Sequence, residues 1–407
     1  MLEIKTEINC QEALLADFPG LYKEVDGKQC VYLDSASTTL KPTQMVEAVC
    51  DYYLGISANI HRGKYFSLED VSNKFEQVRS KIANLIGGSG NEIVFVSNAT
   101  EALNIVSHGL NLSKDDLVVC LPFSHHSHLL PWFDCAKVEY LQLKACQNPD
   151  LEHYATLLAK NPKVVCLTHC SNVTGIYLDL EVMIAMAKEV GALVVVDAAQ
   201  SIPHRRIDVR ALNIDFLAFS AHKMLGPTGV GVLYGKAELL NQLKPLKLGG
   251  GMVDWVEFSS FNLRKIPHRF EAGTPNISGV LGFGAAIDYL HKIGFNWIEQ
   301  HDRELGSYML AKAMQRSYLR VVDPRPDADR GAVLSMSIEG MNNLDDLARY
   351  LSDSFGIMCR NGHLCAQPYV SSLTSGQVIR ISGYIYTRFQ DIDYFFDSLD
   401  ELVSALL

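Results

Sequence analysis

The sequence predicts an α/β protein in two parts: a large domain on a doubly wound parallel sheet, followed by a small α+β module. Three observations carry this. Short apolar, β-branched runs alternate with helix-like segments from about residue 90 to 235, the pattern of a parallel sheet covered on both faces. Each run ends in a polar cluster. Near residue 295 the alternation gives way to helices interspersed with short strands.

In chain order, residues 1–30 read as an N-terminal arm with a short helix around Gln11–Ala16. Val31-Tyr-Leu-Asp-Ser-Ala-Ser-Thr-Thr reads as a strand running into a hydroxyl-rich loop, and a helix starts near Pro42. That loop is either turn chemistry or the lining of a pocket for a substrate carboxylate, with Ser35 its candidate residue. Asn59-Ile-His-Arg-Gly is a second polar island, where His61 and Arg62 are either solvated or functional. A charged helix follows over Leu68–Ile86. Ile93–Val96 is a strand, and Asn98 with Glu101 forms a capping-box pattern opening a helix. A helix N-terminus also attracts anions, and Thr100 adds a hydroxyl there.

Leu117–Leu121 is a strand ending in Pro122-Phe-Ser-His-His-Ser-His. No Cys or His stands at zinc-finger spacing from these histidines, so no metal is expected. An imidazole stacked on a flat ring fits better. Lys163–Thr168 is the next strand, with Asn172 at its polar tip. Helix 181–190, strand 192–197, a helix near Ile277–Ile293, helix 297–317, strands 319–323 and 332–339, helix 344–354, strands 356–360 and 378–382 and helix 390–406 complete the reading.

Composition bounds the function. The chain has 407 residues, 48% of them hydrophobic, and a formal net charge of −10. That balance argues against nucleic acid or an anionic membrane as a partner. The N-terminus shows no basic stretch followed by an apolar run, so a cytoplasmic protein is expected. Its 10 cysteines lack framework spacing and read as reduced thiols.

Chemistry concentrates at Lys223 and Asp197. Phe216-Leu-Ala-Phe-Ser-Ala-His-Lys places Lys223 just beyond a buried strand, where partial desolvation frees an amine for nucleophilic use. Ala192-Leu-Val-Val-Val-Asp places Asp197 at the end of another strand, with Gln200 three residues on. An amine that condenses with a carbonyl, opposed to a carboxylate that protonates a pyridine nitrogen, is what pyridoxal 5'-phosphate requires. In the small module, Cys365 lies in a polar loop with Arg360 and His363 close by, surroundings that favour thiolate. Arg380 would be costly to bury without a carboxylate, from the protein or from a substrate.

Asp197-Ala-Ala-Gln200, Ser220-Ala-His-Lys223, Gly226-Pro-Thr-Gly-Val-Gly, Arg269-Phe-Glu-Ala-Gly-Thr-Pro-Asn and Arg360-Asn-Gly-His-Leu-Cys-Ala-Gln-Pro resemble the pyridoxal-phosphate-dependent cysteine desulfurases of the class V aminotransferase family. The likeness is greatest to the Suf-type, selenocysteine-lyase-like group. It implies fold-type-I architecture: residues 31–294 a large domain with a mainly parallel seven-stranded sheet, 295–407 a small domain carrying the cysteine loop, and the arm packing on it. It implies a homodimer acting on L-cysteine, or on L-selenocysteine, and delivering sulfur to an acceptor protein for iron–sulfur clusters or other sulfur cofactors.

By the same resemblance Lys223 holds the cofactor, Asp197 meets its ring nitrogen, Gln200 its hydroxyl, and His125 stacks on the ring. Ala99, Thr100, Ser220 and His222 bind the phosphate, with Thr274 from the partner subunit. Asn172 and Arg380 fix the substrate carboxylate, Arg360, Ser35, His61 and Arg62 lie nearby, and Cys365 takes the sulfur. The chain departs from the family pattern at Lys64-Tyr65, Leu364, Tyr386-Thr387 and Asn98-Ala99-Thr100. Two other readings compete: a class V carbon–sulfur lyase or aminotransferase that leaves Cys365 idle, and a non-catalytic subunit that keeps the fold to bind a partner.

Overall fold

The computed structural model describes residues 14–25 and 27–406. Two compact units partition the chain: Met45–His169 with Leu178–Lys292, and the segment up to Gln44 with Cys170–Tyr177 and Ile293–Leu407. Residues 11–13 of the expected N-terminal helix lie outside the described residues.

The first unit is built on a seven-stranded sheet. Its strands are β1 (Ile93–Val96), β2 (Leu117–Cys120), β3 (Lys137–Tyr140), β4 (Val164–Thr168), β5 (Leu193–Asp197), β6 (Phe216–Ser220) and β7 (Gly231–Gly235), in spatial order β1-β7-β6-β5-β4-β2-β3. All neighbours pair in parallel except β7, which runs antiparallel to both β1 and β6. The β-branched runs are buried because helices cover the sheet. Val94, Val118, Val164, Val195, Phe216 and Leu233 join Leu103 and Trp132 in one core, each such side chain contributing about 1.5–3 kcal/mol on burial.

Helix Ala99–Gly109 follows β1, and Asn98 caps it by accepting the Glu101 amide hydrogen. The expected capping box closes differently: the Glu101 carboxylate accepts from the amide of Ser97, one residue before the cap, at 2.6 Å. Past β7 an antiparallel hairpin forms from β8 (Val253–Val256) and β9 (Phe261–Leu263), largely exposed.

The second unit holds an antiparallel sheet of β10 (Leu319–Val321), β11 (Val333–Ile338), β12 (Arg360–Gly362) and β13 (Val378–Ser382), ordered β10-β11-β13-β12. Helices Phe295–Met314 and Phe389–Leu406 pack on it through Leu305, Met309, Phe395 and Phe396. Val31–Tyr32 pairs in parallel with Ile357–Met358, and Phe18 packs against Tyr386 with ring centroids 5.0 Å apart. The expected strand 356–360 is therefore two short strands: Ile357–Met358 pairs with the N-terminal segment, and β12 with β13. No helix among the described residues is long and apolar enough to cross a membrane.

Candidate active site

The carboxyl ends of β1, β2, β4, β5 and β6 share one sheet edge. Gly231, the first residue of β7, lies opposite both Val96 and Ser220, while Asp197 is opposite Ala218 and Thr168. In open α/β sheets this is the edge where ligands bind. Lys223 stands there in a 3-10 turn, Ala221–Lys223, directly after β6. The turn closes tightly: a Cβ on Gly226 would lie 2.9 Å from the Ala221 carbonyl oxygen and 2.8 Å from Phe283.

Asp197 and Gln200 are buried beside it, and one Asp197 oxygen accepts the Ala199 amide hydrogen at 2.9 Å. The Ala99 amide donates to the Ser220 hydroxyl at 2.8 Å, joining the helix N-terminus after β1 to the end of β6. The Thr100 hydroxyl lies 2.7 Å from that of Ser127. His125 caps the helix His126–Cys135 by accepting the Ser127 amide hydrogen on Nδ1 at 3.1 Å. An amide can only donate, so a neutral His125 carries its proton on Nε2, which leaves that atom as its donor. His128 has turned into the core, where burial pushes its pKa down. An acid, an amine, an imidazole, a half-buried His222 and hydroxyls at a helix N-terminus form a donor set that fits a phosphorylated pyridine aldehyde.

Thr274 is grouped elsewhere in this unit. It lines a cavity of about 250 Å³ with His61, Arg62, His268 and Glu271. His61 Nε2 lies 3.0 Å from Glu76, and Arg62 donates to the Val253 carbonyl at 2.8 Å. His61, Glu76 and His268 are spaced as metal ligands could be, but Arg79 already donates to both Glu76 oxygens.

The second unit gathers the remaining candidates. Arg380, on β13, is 3% exposed, and burial pushes its pKa down against the pull of Asp34. It donates to the Asn172 carbonyl at 3.0 Å, while its Nε is buried without a partner. Asn172 donates from its amide to the Leu364 carbonyl at 2.8 Å, leaving its own oxygen buried and unpartnered. Leu364 and Cys365 both have left-handed backbones, at φ 55° and 53°, a conformation that costs non-glycine residues energy. Cys365 itself is exposed. Ser35, by contrast, turns its hydroxyl to Tyr386 at 2.9 Å, in a buried pair. The hydroxyl of this loop that meets the arginines is Ser37, and the acid beside it is Asp34. The sequence marks this loop as a possible carboxylate pocket but singles out Ser35 in it, not Ser37 or Asp34. Their only local trace was an acid and a serine leaving a strand.

The sequence matches the family model for aminotransferase class V over residues 31–395. A probable cysteine desulfurase of Halalkalibacterium halodurans is 39% identical over 385 residues, spanning 92% of this chain and 94% of that one. The cysteine desulfurase of Haloferax volcanii is 35% identical over 411 residues, with 96% of each chain covered. Among solved structures, the apo cysteine desulfurase from Thermococcus onnurineus NA1 has a TM-score of 0.88 at 36% identity, covering 92% of this chain and 95% of its own. The cysteine desulfurase CsdA from Escherichia coli has a TM-score of 0.88 at 34% identity, covering 98% and 99%. With likeness of this extent from near one end to the other, the chain belongs to the class V aminotransferase family and is a homologue of its cysteine desulfurases.

Proposed function

We propose that this protein is a pyridoxal-phosphate-dependent cysteine desulfurase that converts L-cysteine to L-alanine and leaves the sulfur as a persulfide on Cys365. The observation that carries this reading is the shared sheet edge of Lys223 and Asp197 in a homologue of cysteine desulfurases. When bound, the cofactor supplies an electron sink for the bonds at the substrate's Cα.

The chain's own residues do the rest. Lys223 holds the cofactor through its amine and then takes and returns the Cα proton. Asp197 keeps the ring nitrogen protonated, and Gln200 bonds the ring hydroxyl. His125 stacks on the ring and offers its Nε2 proton. Ala99, Thr100, Ser220 and His222 hold the phosphate, with Thr274 contributed across a homodimer. Arg380 and Asn172 hold the substrate carboxylate, with Arg360, Ser35, His61 and Arg62 around the substrate.

The Cys365 thiolate attacks the substrate sulfur, the Cβ–S bond breaks and a new S–S bond forms. The electron pair left on carbon is taken up as a proton is added, so cysteine and thiol become alanine and persulfide with no outside oxidant. Exposure and strain at Cys365 support this role. The persulfide then passes to a sulfur-acceptor protein serving iron–sulfur clusters or other sulfur cofactors, in the cytoplasm. The cofactor domain corresponds to Met45–His169 with Leu178–Lys292, and the small domain with the cysteine loop takes in residues 31–44 and 170–177 of the expected large domain beside Ile293–Leu407.

The test is incubation of the cofactor-loaded protein with L-cysteine, measuring alanine and the mass of the intact chain. Alanine should form and one sulfur atom should be added, on Cys365. Cys365→Ala should keep the visible cofactor absorption and lose alanine production. Undiminished alanine from that variant would remove Cys365 from the reaction.

A further inference from the structure

The two arginines of the second unit are tied together by residues that no role yet covers. Arg380 Nη2 donates to Asp34 Oδ1 at 3.1 Å and to the Ser37 hydroxyl at 2.7 Å. Arg360 donates to the other oxygen, Asp34 Oδ2, at 2.9 Å, and from Nε to the same Ser37 hydroxyl at 3.2 Å. Ser37 passes its own hydrogen to Asp34 Oδ1 at 2.7 Å. One carboxylate and one hydroxyl therefore hold two guanidinium groups in a single network. The nearby Cys359 thiol is pushed up to about 12 by burial and the Tyr32 phenol likewise to about 12, so both are neutral at physiological pH. Two cations against one anion leave the network with one unit of positive charge. Arg380 Nε, buried and without a partner, is a donor left over.

We propose that Asp34 and Ser37 are positioning residues that set the charge of the substrate-carboxylate subsite, making it select amino acids with one anionic group. The inference rests on the reading of Arg380 as the carboxylate ligand. Asp34 divides its two oxygens between the arginines, which fixes their planes and offsets half their charge. A single carboxylate balances what remains and can take the spare Nε hydrogen. A ligand with a second anionic group near the first leaves the site overbalanced, in surroundings where an unpaired charge is costly. Ser37 matters because its hydroxyl is the one acceptor both arginines share. Without it, Nη2 of Arg380 keeps only Asp34, and Arg360 loses its Nε partner.

The experiment uses the cofactor-loaded enzyme and two inhibitors that lack an amine, 3-mercaptopropionate and mercaptosuccinate, which differ by one carboxylate. Their competitive inhibition constants against L-cysteine give a monoanion-to-dianion preference. Asp34→Asn, which keeps the size and one acceptor oxygen, should shift this preference toward the dianion on the order of tenfold, the range of one charged hydrogen bond. Ser37→Ala should raise the KM for L-cysteine by a similar factor with a smaller change in kcat, and Ser37→Thr should restore it. The visible cofactor absorption should be unchanged in all three, because the cofactor ligands lie elsewhere.

An Asp34→Asn enzyme with the wild-type preference overturns the inference. If that variant does not fold, a Ser37→Ala enzyme with unchanged KM does so instead. Arg380→Lys separates this from the reading beneath it. Raised KM there beside inert Asp34 and Ser37 variants sinks only the present inference, whereas unchanged KM for Arg380→Lys removes Arg380 from the subsite itself.

Discussion

Arg79 is a cation with almost no access to water, and it shows how single residues hold the cofactor-side unit together. Its guanidinium donates to Glu271 at 2.6 and 3.0 Å, to Glu76, and to the Ile93 carbonyl of β1, and it lies 4.6 Å from the Phe95 ring centroid. Glu271 in turn accepts the Phe95 amide hydrogen at 2.8 Å, so the pair fastens β1 to the segment that carries Thr274. Burial alone would raise the Glu271 carboxyl, but Arg79, His268 and the Phe95 amide pull it down to about 2. A carboxyl whose folded pKa is depressed adds stability that is present above its unfolded value and lost as pH falls through the folded one. The window here runs from the ordinary value of 4.5 down to about 2. Glu271→Gln leaves Arg79 with a weaker partner and should cost about 3–5 kcal/mol at neutral pH. Thermal melts taken from pH 7 downward should show the two proteins converging below pH 4.5. A constant gap across that range would mean that Glu271 acts through packing, not charge.

At the level of elements, the site depends on how closely strand and helix meet. Gly231 opens β7 where that strand passes the Asn98 cap, and a Cβ there would lie 2.5 Å from the Asn98 Cα. Backbone cannot yield cheaply to such a contact, so Gly231→Ala should cost on the order of 1–3 kcal/mol. It should also weaken cofactor retention, because it displaces the helix N-terminus that meets Ser220. Equilibrium dialysis of the cofactor beside a melting curve separates the two effects, and full retention in a destabilised variant would detach this corner from the cofactor. The buried strands β2, β4, β5 and β6 were legible in the sequence because they are continuous apolar runs with polar ends. β3 was not, since Lys-Val-Glu-Tyr at the sheet margin is half polar and no helix or strand period stands out. The hairpin β8–β9 escaped notice for a related reason: its apolar residues face solvent, so no buried face imposed a pattern. Lys223, Asp197 and Cys365 could be named from local chemistry, each ending a strand or opening a turn. Asp34 and Ser37 could not, because the arginine that gives them meaning lies 346 and 343 residues away.

For the whole molecule, the same exposed side chains bear on assembly. Large apolar groups stand in solvent on two stretches of the cofactor-side unit: Leu54 at 86%, Ile56 at 69% and Phe66 at 84% exposed, and Trp255, Val256 and Phe258 on the hairpin. A monomer seldom leaves this much apolar surface uncovered, and a surplus of ten negative charges does nothing to hide it. On the proposed reading a second copy of the chain would cover it, and that copy would also account for Thr274, which lines a cavity with His61 and Arg62. Sedimentation should therefore give twice the chain mass of 45.2 kDa. Replacing Leu54 and Phe66 by lysine removes two anchors of about 1.5–3 kcal/mol each per copy and should shift the equilibrium to monomer. If Thr274 completes the phosphate site across the interface, the monomer should lose cofactor in step with the dimer as the protein is diluted. A monomeric variant that holds cofactor as tightly as the wild type would separate the two and leave Thr274 without a role in binding.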